Sequence, residues 1–205
     1  SDFKIRFRTQ RPDFSHSDTH KGIDWTKTVY GSGVENVPED APPPLGKVVV
    51  LTHYFDANLM HNVLDGKAVT GCLHFLNKTP IMSYSKKQSS AETSTYGAEF
   101  SAARTCLEQV IDLRQTLRYL GVKVHETSYV FGDNQAMIHS SKFPEARLHK
   151  RHNILSFHFV RNIISQGYIS LNHIKSGSNI ADILSKHWSH KSAYPLIKPV
   201  FNYIG

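Results

Sequence analysis

Apolar and polar positions change period several times along this chain, and each change marks an element. Residues 3–8, Phe3-Lys4-Ile5-Arg6-Phe7-Arg8, alternate apolar with basic, which predicts a short strand with one wet face. The periodicity then fades, and Pro38-Glu39-Asp40-Ala41-Pro42-Pro43-Pro44 reads as an extended linker. Val48-Val49-Val50-Leu51 is apolar on both faces, as a central strand is, and that strand is expected to end at Asp56. Two more strands are predicted over 68–77 and 81–85, joined by the turn residues Lys78-Thr79-Pro80.

A long helix from about Thr95 to Leu120 is the clearest element. Ala98, Ala102, Cys106, Val110, Leu113, Leu117 and Leu120 recur at three- and four-residue steps and form one apolar stripe. Glu99 projects inside that stripe. A strand over 127–132, a short helix from Asn134 to about Ser141 and an amphipathic helix over 152–166 follow. The last should bury Leu155, Phe159, Val160, Ile163 and Ile164, with Gly167 ending it. A strand over 168–174, the turn Lys175-Ser176-Gly177-Ser178 and a helix over 179–188 complete the pattern. Three strands, a helix, a strand, helices, a strand and a helix make one α/β domain with a mixed sheet. The expected layout is an N-terminal connector over 1–46 that docks on the main domain, that domain over 47–190, and a tail over 191–205.

Composition sharpens this picture. At 205 residues and 40% apolar, the chain can bury one good core but hardly two. Residues 1–46 carry six basic and seven acidic side chains, leaving 18 against 10 for the rest. A basic domain suits a polyanionic partner, nucleic acid first. The two cysteines, Cys72 and Cys106, fall in apolar patterns and read as core thiols, neither a disulfide framework nor a ligand set. The thirteen histidines lack zinc-site spacing. Without a run of about 20 apolar residues or a signal-peptide pattern, the chain reads as soluble and intracellular, with no membrane partner. It opens on Ser1-Asp2, as a piece of a larger polypeptide would.

Four acids stand at positions where burial is expected. Asp56 closes a strand, Glu99 lies in the helical stripe, Asp133 follows a strand, and Asp182 opens the late helix. Each has a plain structural reading: a turn starter, a buried ion pair, a helix N-cap, a first-turn acid. Buried carboxylates cost free energy unless cations or hydrogen bonds compensate them. One shared divalent-metal site is therefore more economical than four separate explanations. Oxygen-only ligands suit Mg²⁺ or Mn²⁺ over zinc.

Several stretches resemble a known family. Phe55-Asp56-Ala57-Asn58, Gly66-Lys67-Ala68-Val69-Thr70-Gly71, Ser83-Tyr84-Ser85-Lys86-Lys87-Gln88, Ser94-Thr95-Tyr96-Gly97-Ala98-Glu99-Phe100, Gly132-Asp133-Asn134-Gln135 and Ala181-Asp182-Ile183-Leu184-Ser185-Lys186 occur in order from about Lys47 to Trp188. Together they resemble the ribonuclease H domain of copia-type retrotransposon polyproteins. One departure is Gly97, where a bulkier residue is usual; glycine costs up to about 1 kcal/mol of helix propensity.

The resemblance implies the ribonuclease H-like fold, an α/β architecture with a central mixed five-stranded sheet, its first three strands antiparallel, flanked by helices. It places the family's metal ligands on Asp56, Glu99, Asp133 and Asp182, with two Mg²⁺ ions that Mn²⁺ can replace. The implied activity is hydrolysis of the RNA strand of RNA–DNA hybrids during reverse transcription. The implied partner is a reverse transcriptase domain of the same polyprotein, in the cytoplasm or within virus-like particles. His173, ahead of the last acid, is placed as an assistant to water positioning or product release. Substrate contacts are expected from Asn58, Ser94 and Gln135, and phosphate contacts from Lys86, Lys87 and the cluster containing Arg147, Lys150 and Arg151. An integrase of similar fold would need a helical glutamate as its last acid, and here that acid is Asp182.

Overall fold

Val50 divides the apolar run 48–51 between two sheets, where one continuous strand is expected from the pattern. β1 (Leu45–Val49) pairs in parallel with the three-residue β5 (Val122–Val124), while β2 (Leu51–Asn58) enters the main sheet. The Asn77 carboxamide accepts from the Val50 amide at 2.9 Å, which holds the break. The structure, a computed structural model, describes residues 8–12, 14, 23–31, 33–59, 66–92, 94–148, 153–198 and 200. Apart from Arg8, the strand expected over residues 3–8 lies outside these described residues.

The main sheet has five strands in the order β4-β3-β2-β6-β7, formed by β3 (Val69–Leu76), β4 (Thr79–Lys87), β6 (Ser128–Gly132) and β7 (Ile169–His173) around β2. β2, β3 and β4 run antiparallel to one another in that order, while β6 joins β2 and β7 joins β6 in parallel. The β3–β4 turn forms at Asn77-Lys78, one residue earlier than expected, because Asn77 adopts the left-handed conformation at φ 54° that asparagine tolerates.

Alternate strand residues feed two layers. Phe55, Cys72, Val130, Ile169 and Leu171 pack against α1 (Thr95–Tyr119) and α3 (Ile154–Ser165). Tyr54, Leu73 and Phe75 face the other way, toward Ile180, Leu184 and Val200. Both long helices depart from their expected faces. Leu120, expected in the apolar stripe, is exposed, whereas Arg114 is fully buried. In α3 Leu155 is exposed and Phe157 buried, a rotation that sets Arg161 against Trp25, Tyr30 and Phe157.

The end of the chain differs most. The helix expected over 179–188 contracts to a 3₁₀ turn (Ser176–Ser178) and the single-turn α4 (Asp182–Ser185). Asn179 is the reason: its side chain donates to Phe55 O and accepts from the Ala181 amide, a local closure that competes with helix. Beyond it α5 (His190–Ile197) forms where a tail is expected, despite Pro195, with Ser189 as its cap. α2 (Gln135–Lys142) matches its expected place closely. Among the described residues no helix is long and apolar enough to cross a membrane.

Candidate metal centre

Asp56 lies within β2, directly opposite Gly71 of β3, so it does not end its strand as expected. β6 is β2's parallel neighbour on the other side, and Asp133 follows it immediately. Asp133 does not cap α2. Asn134 does, accepting from the Met137 amide at 3.0 Å, which leaves the Asp133 carboxylate for other work. Neighbouring strands thus deliver two acids, one within β2 and one just after β6, to one region of the sheet, where α/β sites form.

Glu99 comes from α1, whose start is pinned by three devices. Ser94 caps it, accepting from the Gly97 amide. Gln88, buried at the end of β4, donates to Thr70 Oγ1 at 3.0 Å and to Ala98 O at 2.9 Å, tying sheet to helix one residue before Glu99. Gly97 admits the Glu92 and Asn153 side chains where a Cβ would lie 2.5–2.6 Å from them, a local use for the unusual glycine. Asp182 arrives on α4, which rests on Gly71. A Cβ there would meet Ala181 O at 2.8 Å and Leu184 Cβ at 2.9 Å.

Carboxylate oxygens of Asp56, Glu99 and Asp133 all lie within 4.8 Å of one another. Asp56 is 1% and Glu99 4% exposed, so water compensates neither. The Ala57 amide donates to Glu99 Oε1 at 3.4 Å, while Glu99 Oε2 is buried with no hydrogen-bond partner. Burial, then the Asp56 and Asp133 charges, push Glu99 well above the usual carboxylate range. Asp182 joins through a cation: Lys186 Nζ lies 2.8 Å from Asp182 Oδ1 and 3.4 Å from Asp56 Oδ2. Burial raises the Asp182 carboxyl to about 6, with Asp56 and Asp133 adding to the rise and Lys186 opposing it. Burial pulls the Lys186 ammonium down, but its bonds to these acids outweigh that and leave it raised. The Ser185 hydroxyl donates to Asp56 Oδ2. His173, exposed at the end of β7, reaches the Asp133 carbonyl oxygen with Nε2 at 3.2 Å, which leaves Nδ1 as its acceptor.

A close-set group of oxygen donors with one orphaned oxygen is what a hard divalent cation fits. The predicted contact residues are spread more widely. Asn58 ends β2 and Gln135 opens α2, each near an acid in sequence, whereas Ser94 is engaged as a cap. Lys86 and Lys87 are exposed on the edge strand β4, and Arg147 is exposed before α3. Lys150 and Arg151 lie outside the described residues. Sequence reasoning missed Lys186, Ser185, Gln88 and Asn179 as positioning groups. The i, i+4 spacing of Asp182 and Lys186 was the available signal. It also missed a second meeting of ligand-type side chains, Cys72, His74 and Cys106, whose donor atoms fall within 4.8 Å of one another.

Sequence comparison places this chain beside the retrovirus-related Pol polyproteins of plant transposons. It is 29% identical over 142 residues to that from TNT 1-94 of Nicotiana tabacum and 25% identical over 141 residues to that from RE2 of Arabidopsis thaliana, 69% of this chain in both cases. The chain spans about a tenth of the length of these relatives. No protein-family model matches it. Among solved structures it is similar to the ribonuclease H1 of Halobacterium salinarum (TM-score 0.52, 16% identity, 73% of this chain and 98% of that one). It is also similar to the N-terminal ribonuclease H domain of Rv2228c from Mycobacterium tuberculosis (TM-score 0.51, 15% identity, 73% and 97%). A third likeness is to a compost-derived ribonuclease H1 solved with an RNA/DNA hybrid (TM-score 0.50, 17% identity, 66% and 93%). The fold is ribonuclease H-like.

Proposed function

We propose that this domain is a divalent-metal-dependent endoribonuclease that hydrolyses the RNA strand of RNA–DNA hybrids during retrotransposon reverse transcription. The observation that carries the reading is the convergence of Asp56, Glu99 and Asp133 within 4.8 Å, with Glu99 Oε2 buried and unpartnered. These three and Asp182 would hold two Mg²⁺ ions, with Mn²⁺ as a substitute. When bound, such ions supply an activated water nucleophile and stabilisation of the leaving oxygen.

The chain's own groups do the rest. Asp56 on β2 and Asp133 just after the adjacent β6 fix the spacing of the donors, and Glu99 brings a third from the helix layer. Lys186 and Ser185 orient Asp56 and Asp182 by hydrogen bonds. His173, anchored through Nε2, presents Nδ1 as a base at the rim, placed to take a proton from water or to pass one to the product. Asn58 and Gln135 flank the acids and are assigned to the hybrid's minor groove, where RNA shows its 2′-hydroxyls. Lys86 and Lys87 are assigned to phosphates, and Lys150 and Arg151 take the same role by sequence. The plant-transposon relatives support a setting beside a reverse transcriptase in one polyprotein. The hybrid-bound relative of this fold supports the substrate class.

A gel assay with hybrid, duplex RNA and duplex DNA tests this reading. Cleavage confined to the RNA of the hybrid, abolished by a chelator and by Asp133→Asn while hybrid binding survives, is expected. Undiminished cleavage by Asp133→Asn overturns the reading.

A further inference from the structure

Cys72, His74 and Cys106 meet in the interior between the sheet and α1. Cys72 and His74 alternate on β3, so their side chains share one face, and Cys106 lies seven residues, two helical turns, beyond Glu99 on α1. All three are fully buried, and both sulfurs and a ring nitrogen of His74 lie within 4.8 Å of one another. We propose that this trio is a site for a thiophilic cation, Zn²⁺ by its chemistry, separate from the carboxylate centre and independent of the nuclease reading.

Three observations converge on it. The first is spacing. A zinc ion about 2.3 Å from each of two sulfurs in tetrahedral geometry holds them about 3.8 Å apart. A trio already inside 4.8 Å needs shifts of about an ångström to close on an ion.

The second is the tautomer of His74. Gln109 Oε1 lies 2.8 Å from His74 Nε2 and can only accept, so Nε2 carries the proton and Nδ1 the lone pair. A metal-bound histidine is held in just this way, its second nitrogen donating to a fixed oxygen.

The third is His53. Its Nδ1 lies 2.8 Å from His74 Nδ1 and donates its proton there, a bond that an ion at His74 Nδ1 would displace, while His53 Nε2 is buried with no hydrogen-bond partner. A buried imidazole nitrogen without a partner is a costly group to leave in a core. In contact with His74, His53 would supply a fourth ligand once that bond is displaced.

Charge balances. A divalent ion replaces two thiol protons, one from Cys72 and one from Cys106, and the resulting dithiolate–imidazole unit is neutral, as a buried site requires. Sulfur and nitrogen donors here, against oxygen donors at the acids, sort the two sites by cation hardness. The consequence is mechanical: an ion joining β3 to α1 would fix the register of the helix that delivers Glu99.

The full chain, reduced and stripped of metal, is titrated with Co²⁺ in excess Mg²⁺, and Zn²⁺ is then added. The sequence holds only two cysteines, so any thiolate-to-cobalt charge-transfer band reports on this site alone. One equivalent of Co²⁺ should raise the band, Zn²⁺ should remove it, and Mg²⁺ should leave it untouched. Cys106→Ser should abolish it. Gln109→Leu, at a half-buried helix position that leaves every ligand in place, should weaken uptake about tenfold or more. Circular dichroism checks that each variant is folded, and if Cys106→Ser is not, the native titration and Gln109→Leu decide. A folded native chain with no such band, or Gln109→Leu binding as tightly as the native chain, overturns the proposal.

Discussion

Lys186 bridges Asp182 and Asp56, with its ammonium 2.8 Å from one carboxylate and 3.4 Å from the other. It acts as a resident cation in a cluster of acids that otherwise repel. Lys186→Met keeps the aliphatic stem and removes the charge. Because the lysine is 31% exposed, the loss of metal-free stability should be modest, about 1 kcal/mol. Added Mg²⁺ should then stabilise the variant more than the native chain, since the ion meets an uncompensated cluster. Thermal unfolding with and without Mg²⁺ measures both, and equal Mg²⁺ shifts would refute this role.

Glu35 should be a keystone of the N-terminal segment. It accepts from Arg114 Nε at 2.7 Å and from Arg114 Nη2 at 2.5 Å, and it also accepts from Arg118. Arg114 donates further to Ser128 Oγ and to the His125 and Glu126 carbonyls. Glu35→Gln leaves a fully buried guanidinium without its counter-charge and should cost about 3 kcal/mol in denaturant unfolding. Burial alone would lift the Glu35 carboxyl, but its bonds from Arg114 and Arg118 hold it below the usual carboxylate value of 4.5. A depressed acid stabilises above its unfolded pKa, so this contribution is full above pH 4.5 and fades as pH falls through the lower folded value. Glu35→Gln should remove that part of the acid dependence.

The histidine pair predicts a second acid dependence, at higher pH. Burial, reinforced by its His74 neighbour, holds His53 well below 6.5, and burial takes His74 to about 4 against the pull of its Gln109 bond. An unfolded chain binds these protons first, so stability is full above pH 6.5 and falls between 6.5 and about 4. In chelator-containing buffer, the double variant His53→Gln, His74→Gln should show a flatter dependence across that window. An unchanged slope would mean that neither imidazole is held neutral.

How much of this was readable beforehand varies by element. The five strands of the main sheet and α1 carry strong periodic patterns, and alternation of Phe55 and Cys72 with Tyr54 and Leu73 shows two buried faces. The burial of Arg114 was not legible because a helical wheel knows nothing of Glu35, 79 residues away, and a tertiary partner is what makes burial tolerable. Asn179 misled for a similar reason: a helix-compatible window was overridden by one carboxamide bonded to Phe55 O, 124 residues earlier. The acids could be marked one by one, but the cation among them is visible only once α4 is laid on β3. Cys72, His74 and Cys106 were invisible as a set because 32 residues separate His74 from Cys106, and only the packing of α1 on β3 closes that gap.

Gly71 sets how closely α4 approaches the sheet, and thereby where Asp182 sits. Its Cα hydrogens face Ala181 O and Leu184, with Asp56 opposite on β2. In Gly71→Ala the new methyl would fall 2.8 Å from a backbone carbonyl and 2.9 Å from a Cβ, neither of which can swing aside as a side-chain tip does. α4 must lift, which should cost about 2 kcal/mol of stability as other overpacked cores do. Hydrolysis should suffer beyond that loss, because Asp182 and Lys186 move away from Asp56 while β2, β6 and α1 stay in place. The expected signature at a temperature where the variant is fully folded is therefore a drop in hybrid cleavage of about tenfold or more, with hybrid binding retained. Cleavage at the native rate by folded Gly71→Ala would show that the placement of α4 does not govern the site.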